Sequence, residues 1–266
     1  MRKIGEEKEH SFLDHLEILR WHLIRSAAAI LVFTILAFIF PEFLFDKIIL
    51  ASKSPDFATY KFFCWLSETL HFGEALCIKE APFELMNIKM SGQFSTHIVS
   101  SLVAGFVCAF PYVFWEIWRF IKPALHGSEK KYSRGVVFYT SLLFILGVLF
   151  GYYAVAPLSV QFLGNYQVSS QVVNQINLNS FISTVTTVCL ANGIVFLLPI
   201  LIYFLSKLGL ISPEFLRQYR KHSLVILMIL AAIITPPDIM SLILVTFPLM
   251  LLYELSIKVS AKFQDK

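Results

Sequence analysis

Long apolar runs constrain this chain more than any other feature. A hydrocarbon core about 30 Å thick asks for roughly 20 helical residues. Four runs are built to that scale: residues 23–40, broken only by Arg25; 98–120, with Pro111 inside; 136–158; and 181–205, with Asn192 and Pro199 inside. Two more, 222–235 and 239–257, are separated by Pro236-Pro237-Asp238. The first of these is short, about 21 Å of helix at 1.5 Å per residue, and the two prolines forbid its straight continuation. Beside four long spans it reads as half of a short membrane hairpin. The expectation is an all-α polytopic membrane protein: one membrane domain over 1–266, six transmembrane helices, the last two short, and an outer loop over 41–97.

Composition agrees. Of 266 residues, 57% are hydrophobic and only 15% charged, where a soluble domain carries about 25% charged residues. There is too little charge to cover a water-facing surface. The 26 phenylalanines suit lipid, since Phe has no polar group to satisfy.

The distribution of Lys and Arg sets an orientation. Of 22 such residues, 17 fall before or at the start of span one, from the end of span two to span three, between spans four and five, or in the C-terminal tail. The remaining five are spread along the outer loop among seven acids. Both chain ends are therefore expected in the cytoplasm. The net charge of +4 follows from this topology and is no argument for nucleic acid. The first 20 residues are charged, with no short apolar core ahead of a small-residue cleavage site, so no cleavable signal peptide is expected. Ser11-Phe-Leu-Asp14 reads as a capping box that opens the first helix.

Catalytic chemistry finds no support. His15, His22, His97, His126 and His222 are scattered, mostly at membrane boundaries, where histidine is usually structural. Nucleophile elbows, nucleotide-binding glycine loops and metal-ligand spacings are missing, and neither a cofactor nor an enzymatic activity is expected. Cys108 and Cys189 lie within spans as small apolar residues. Cys64 and Cys77 share the outer loop, an oxidising compartment in a didermic bacterium; the residues leave open whether they are joined.

Several separated motifs, in order along nearly the whole chain, resemble the TatC family, the membrane receptor and core of the twin-arginine protein translocase. They are His15-Leu-Glu-Ile-Leu-Arg20, the segment 111–125 with Glu129-Lys130, the 144–152 stretch with Pro157, Gly193-Ile-Val-Phe-Leu-Leu-Pro199, and Thr235-Pro-Pro-Asp238 with Pro248 and Leu252-Tyr-Glu254. The resemblance implies binding of twin-arginine signal peptides and recruitment of single-span TatA- and TatB-type partners, with self-association, in the bacterial inner membrane. It implies a signal-peptide rim made of Glu129, Glu17, Arg20, position 18, Phe120 and Pro123. Carboxylates suit that task because they accept the guanidinium fork bidentately. It also implies partner or translocation roles for position 197, Asn192, Pro236, Asp238 and Glu254.

Three positions depart from the family pattern. Ile18 stands where the family has an acid, with Glu17 about 100° around the helix. Leu197 stands where relatives commonly have a glutamate, an intramembrane acid of the kind normally kept for function. Ser52 stands where many have proline. A small-molecule secondary transporter and a TatC-like scaffold with an impaired peptide site are the competing readings. Of the remaining polar groups, Asn192 is placed to bond across helices, Asp238 to cap the last helix, Glu254 to snorkel or pair with a basic neighbour, and Glu116 to pair with Arg119 three residues on. The two short spans are expected to thin the lipid beside them.

Overall fold

The computed structural model describes residues 12–69, 77, 83–122, 133–169, 171 and 174–264. In chain order the elements are α1 (Phe12–Ile39), a π-helical turn (Phe43–Ile49) and a 3-10 turn (Leu50–Lys53), α2 (Ala58–Thr69), β1 (Glu84–Met86) and α3 (Gly92–Ile121). Then come α4 (Ser133–Phe150), a π-helical segment (Gly151–Val155), α5 (Ala156–Asn165), β2 (Gln175–Asn177), α6 (Leu178–Val195), α7 (Leu198–Lys207), α8 (Pro213–Gln218), α9 (Arg220–Ile234) and α10 (Ile239–Gln264). The protein is a polytopic helical membrane protein.

Five segments among the described residues are long and apolar enough to cross a bilayer: Leu16–Ile39, Gly92–Ile121, Gly135–Asn165, Leu178–Lys207 and Ile239–Ala261. The remaining expected span is α9, whose 15 residues reach only about 22 Å. The last helix is not short. It continues to Gln264 because nothing in 258–264 breaks a helix; the basic residues there end the apolar stretch without ending the helix. Ser11 lies outside the described residues.

Helices α1 and α3 lie antiparallel along most of their length. His22 meets Glu116 near one end, Thr34 meets Gly105 in the middle, and Phe38 stacks on His97 at the other, with ring centroids 4.0 Å apart. A Cβ on Gly105 would stand 2.6 Å from the Thr34 backbone nitrogen, so only glycine lets the two backbones approach this closely. The outward side of α1 is lined with exposed Leu23, Leu31, Ile35 and Ile39, a surface suited to lipid.

The core lies where α5, α6, α9 and α10 meet, around Val160, Ile182, Val185, Ala231, Val245 and Leu249. Gly147 and Gly151, four apart, face α6: a Cβ at Gly147 would come 2.6 Å from the Asn192 carbonyl oxygen. Pro199 sits in the first turn of α7, and its missing N–H divides the fourth span. The chain turns at Phe196–Leu197, where the Leu197 N–H donates to the Ile194 carbonyl at 3.0 Å.

Pro157 has a parallel effect in the third span. Its ring leaves the Tyr153 carbonyl without the usual helical donor, and the chain passes through the π-helical segment. The Thr59 hydroxyl of α2 donates to that carbonyl. The Tyr60 hydroxyl lies 2.9 Å from the Ser52 carbonyl and 3.2 Å from that of Pro157; burial pushes this phenol up to about 12. Ser52 is fully buried and donates to the Ile49 carbonyl at 2.9 Å. The outer loop is thus a docked layer, tied further by parallel pairing of β1 with β2 in the register Glu84↔Gln175, Leu85↔Ile176, Met86↔Asn177.

Cys64 and Cys77 form a disulfide, with Cα atoms 4.4 Å apart. Glu68 places a carboxylate beside both sulfurs, but sulfurs joined to one another are not thiolate ligands. Closing so short a loop restricts the unfolded chain, so C64S/C77S is expected to lower stability by about 2–4 kcal/mol. Comparing thermal unfolding of the oxidised protein and the variant in detergent checks this.

Candidate functional site

The antiparallel packing of α1 and α3 brings together residues almost a hundred positions apart. Glu116 projects from α3 toward α1 and is 1% exposed. Its carboxylate is held by His22 Nδ1 of α1 and by the Tyr112 hydroxyl, which donates at 3.0 Å. The His22 ring meets Phe120 edge-on, with centroids 6.1 Å apart. The expected pairing of Glu116 with Arg119 does not form. Glu116 faces the helix interface, while Arg119 faces outward over the Trp115 ring, 5.5 Å from its centroid.

This clasp fixes the N-terminal turns of α1. Ile18 lies one turn before His22, about 40° around the helix, so it extends the stripe that faces the end of α3. Glu17 is about 140° from His22. Glu17 and Arg20 are exposed, and Ile18 is 41% exposed. The structure therefore brings Phe120 to the His22 ring, with exposed Ile18 one helical turn away and Glu17 and Arg20 on the open sides of α1. Pro123 and Glu129 lie outside the described residues.

The same end of the bundle carries the connection from α7 to α9. Gly209, at φ +73°, ends α7 in a Schellman turn, with the Leu210 N–H donating to the Leu205 carbonyl at 3.0 Å. The Ser212 hydroxyl then caps α8 by accepting from the Phe215 N–H at 3.1 Å. Exposed Glu214 has its carboxylate held below the usual range, chiefly by its own backbone N–H, with the Ser212 hydroxyl adding to the effect. It is an acid of this surface that no motif had marked.

The residues expected to serve partners or translocation do not converge. Glu254 pairs with Arg220 at 2.8 Å, as the sequence suggested. Both groups are partly exposed, so Arg220→Gln is expected to cost no more than about 1 kcal/mol, checked by denaturation in mixed micelles. Asp238 accepts from the Ser241 N–H at 2.6 Å and so caps α10. It also accepts from the Ser159 hydroxyl at 3.2 Å, and Pro236 stands beside it in the turn. Asp238 and Glu254 are some 24 Å apart along α10 by helical rise. Asn192 is fully buried and bonds within its own helix, Nδ2 to the Val188 carbonyl at 2.8 Å, and not across helices as expected. The close approach of α4 at Gly147 and of the π-helical segment at Gly151 brings backbone against this part of α6, and the Asn192 Oδ1 has no hydrogen-bond partner among the described residues. Leu197 sits half-buried in the break between α6 and α7.

Residues 14–248 match the family described as Sec-independent protein translocase protein (TatC). A protein of that name from Blattabacterium sp. subsp. Periplaneta americana (strain BPLAN) is 43% identical over 257 residues, covering 96% of this chain and 97% of that one. Its namesake from Aquifex aeolicus (strain VF5) is 35% identical over 245 residues, covering 92% of each. A crystal structure of the twin-arginine translocase receptor TatC in DDM superposes with a TM-score of 0.70 at 34% identity, over 92% of this chain and 99% of that one.

Proposed function

The chain belongs to the Sec-independent protein translocase protein (TatC) family, and from that premise we propose that it is the receptor for twin-arginine signal peptides in a bacterial inner membrane. Both termini face the cytoplasm in this reading, which the distribution of Lys and Arg supports. The peptide's arginines meet a rim made from the start of α1 and the segment after α3. Glu129 and Glu17 supply carboxylates, Phe120 and Pro123 the apolar shoulder, and Arg20 a fixed cation that sets the rim's register.

The clasp of His22, Glu116 and Phe120 is the observation that carries the reading. It joins α1, two residues past its family motif, to the 111–125 motif at the end of α3, and Glu129 follows the end of α3 by eight residues. The apolar part of the signal peptide then packs along the helices, and single-span TatA- and TatB-type partners assemble with copies of the receptor around it. Leu197, Pro236 and Glu254, which are partly exposed, are the positions proposed to meet those partners, and buried Asn192 and Asp238 support them from behind. The short α9 thins the adjacent lipid, which helps folded cargo to cross.

A second reading, the same fold with a weakened peptide site, is favoured by Ile18 and Leu197, apolar residues at two positions where the family pattern has an acid. Binding of a twin-arginine peptide to the purified full chain, against its twin-lysine counterpart, separates the two. A preference for arginine that disappears in Glu129→Ala supports a working receptor. Equal binding that becomes selective in Ile18→Glu supports the weakened site. Equal binding of both peptides that Ile18→Glu leaves unchanged overturns the receptor assignment.

A further inference from the structure

Between the end of α3 and the start of α4 the surface opens into a cleft of about 530 Å³. Its wall is mostly apolar, with Trp115, Trp118 and Phe138 among the lining residues, and Arg119 and Lys122 stand at its mouth. Trp115 and Phe138 are 43% and 64% exposed, so the wall faces outward from the bundle. Ser141 lines the cleft with a hydroxyl that no hydrogen bond satisfies among the described residues.

No carboxylate is ion-paired with Arg119 or Lys122 among the described residues. The acid nearest to Arg119 in sequence on its own helix, Glu116, is turned away toward His22. Arg119 is instead steadied over the Trp115 ring, which holds the guanidinium fork in place for a bidentate anion. Two cations repel the arginine pair of a signal peptide and attract phosphate. An apolar wall beneath them, edged by tryptophan, fits an acyl chain entering at the depth where Trp and basic residues favour the membrane interface.

We propose that this cleft binds one anionic phospholipid, with its phosphate on Arg119 and Lys122 and an acyl chain along Trp115 and Phe138. The bound lipid is a fixed part of the α3–α4 wall. It neutralises two cations that would otherwise oppose an arginine-bearing ligand.

The test uses the full chain in nanodiscs, with bromine on the acyl chains of either phosphatidylglycerol or phosphatidylcholine, and reads tryptophan quenching. Brominated phosphatidylglycerol is expected to quench at a bulk fraction about thirtyfold lower than brominated phosphatidylcholine, given roughly 1 kcal/mol for each of the two basic residues near the surface. R119Q/K122Q is expected to lose that preference, while R217Q/K221Q, cations that do not line the cleft, keeps it. Soluble glycerol phosphate leaves the quenching unchanged. Equal quenching by the two lipids in the unaltered protein overturns the proposal, and this comparison depends on no variant folding. A preference retained in R119Q/K122Q overturns it as well, by moving the lipid elsewhere. Loss in both double variants reduces the effect to general surface charge, and displacement by glycerol phosphate makes it a free-phosphate site; either result rejects the lipid.

Discussion

Replacing His22 with leucine is expected to destabilise the bundle by about 3–5 kcal/mol, because it leaves a buried carboxylate without its main partner. Glu116 is almost wholly enclosed, and in the variant only the Tyr112 hydroxyl would remain. Removing both groups should be far milder. H22L/E116L replaces a desolvated polar pair by apolar contact, a change that is often neutral or stabilising. The measurement is a double-mutant cycle of unfolding midpoints in mixed micelles, with helicity as the signal. A single H22L variant as stable as the parent would mean that the clasp contributes nothing to holding α1 on α3. A double variant as unstable as the single one would place the loss in packing and not in the stranded charge.

The second large effect concerns recognition. Ile18→Glu is expected to raise affinity for a twin-arginine peptide on the order of ten- to a hundredfold, the range for one charge-assisted hydrogen bond. The twin-lysine peptide should gain much less, since an ammonium lacks the planar fork. The geometry gives the reason. Position 18 shares the stripe of His22 that faces α3, whereas Glu17 points well away from it. Isothermal titration of the purified variant with both peptides measures this. An equal gain for both would indicate simple charge attraction; no gain would show that position 18 does not reach the peptide.

The two predictions divide along what was legible in the sequence. The spans were plain, because some twenty apolar residues in a row have few alternatives in water or lipid. Their ends were less so. Residues 92–97 are mostly polar or small, yet they form the first turns of α3, and the tail of α10 stays helical past its last apolar stretch. The break at Phe196–Leu197 was announced only by Pro199, a residue that other helices here accommodate: Pro111 and Pro248 lie inside unbroken helices. The internal order of the outer loop, with its π turn, α2 and docked tyrosines, depends on contacts far apart in the chain and has no local signature.

The site shows the same division. Family motifs marked positions 17 to 20, but nothing local linked His22 to Glu116, separated by 94 residues. A glutamate inside an apolar span was itself the available signal, since such a group is seldom left unpaired. Its neighbour three residues on offered a nearer partner, and the nearer partner was the wrong one. Asn192 misled in the opposite direction. Its polarity suggested a bond across helices, whereas the glycines opposite it bring backbone against backbone and leave its amide to its own helix.

The carbonyl that Pro157 leaves open in the third span bears on how the protein is made. Its hydrogen-bond donor is Thr59, contributed from a segment outside the spans, so this helix is not satisfied by its own backbone, as a spanning helix normally must be. A ribosome delivers Thr59 nearly a hundred residues ahead of Tyr153, giving the donor time to cross before the acceptor arrives. Biogenesis should therefore depend on the order of delivery. A chain whose first outer segment is held back, for example by a bulky tag inserted after α2, should stall with its third helix incompletely seated, although every residue of that helix is unchanged.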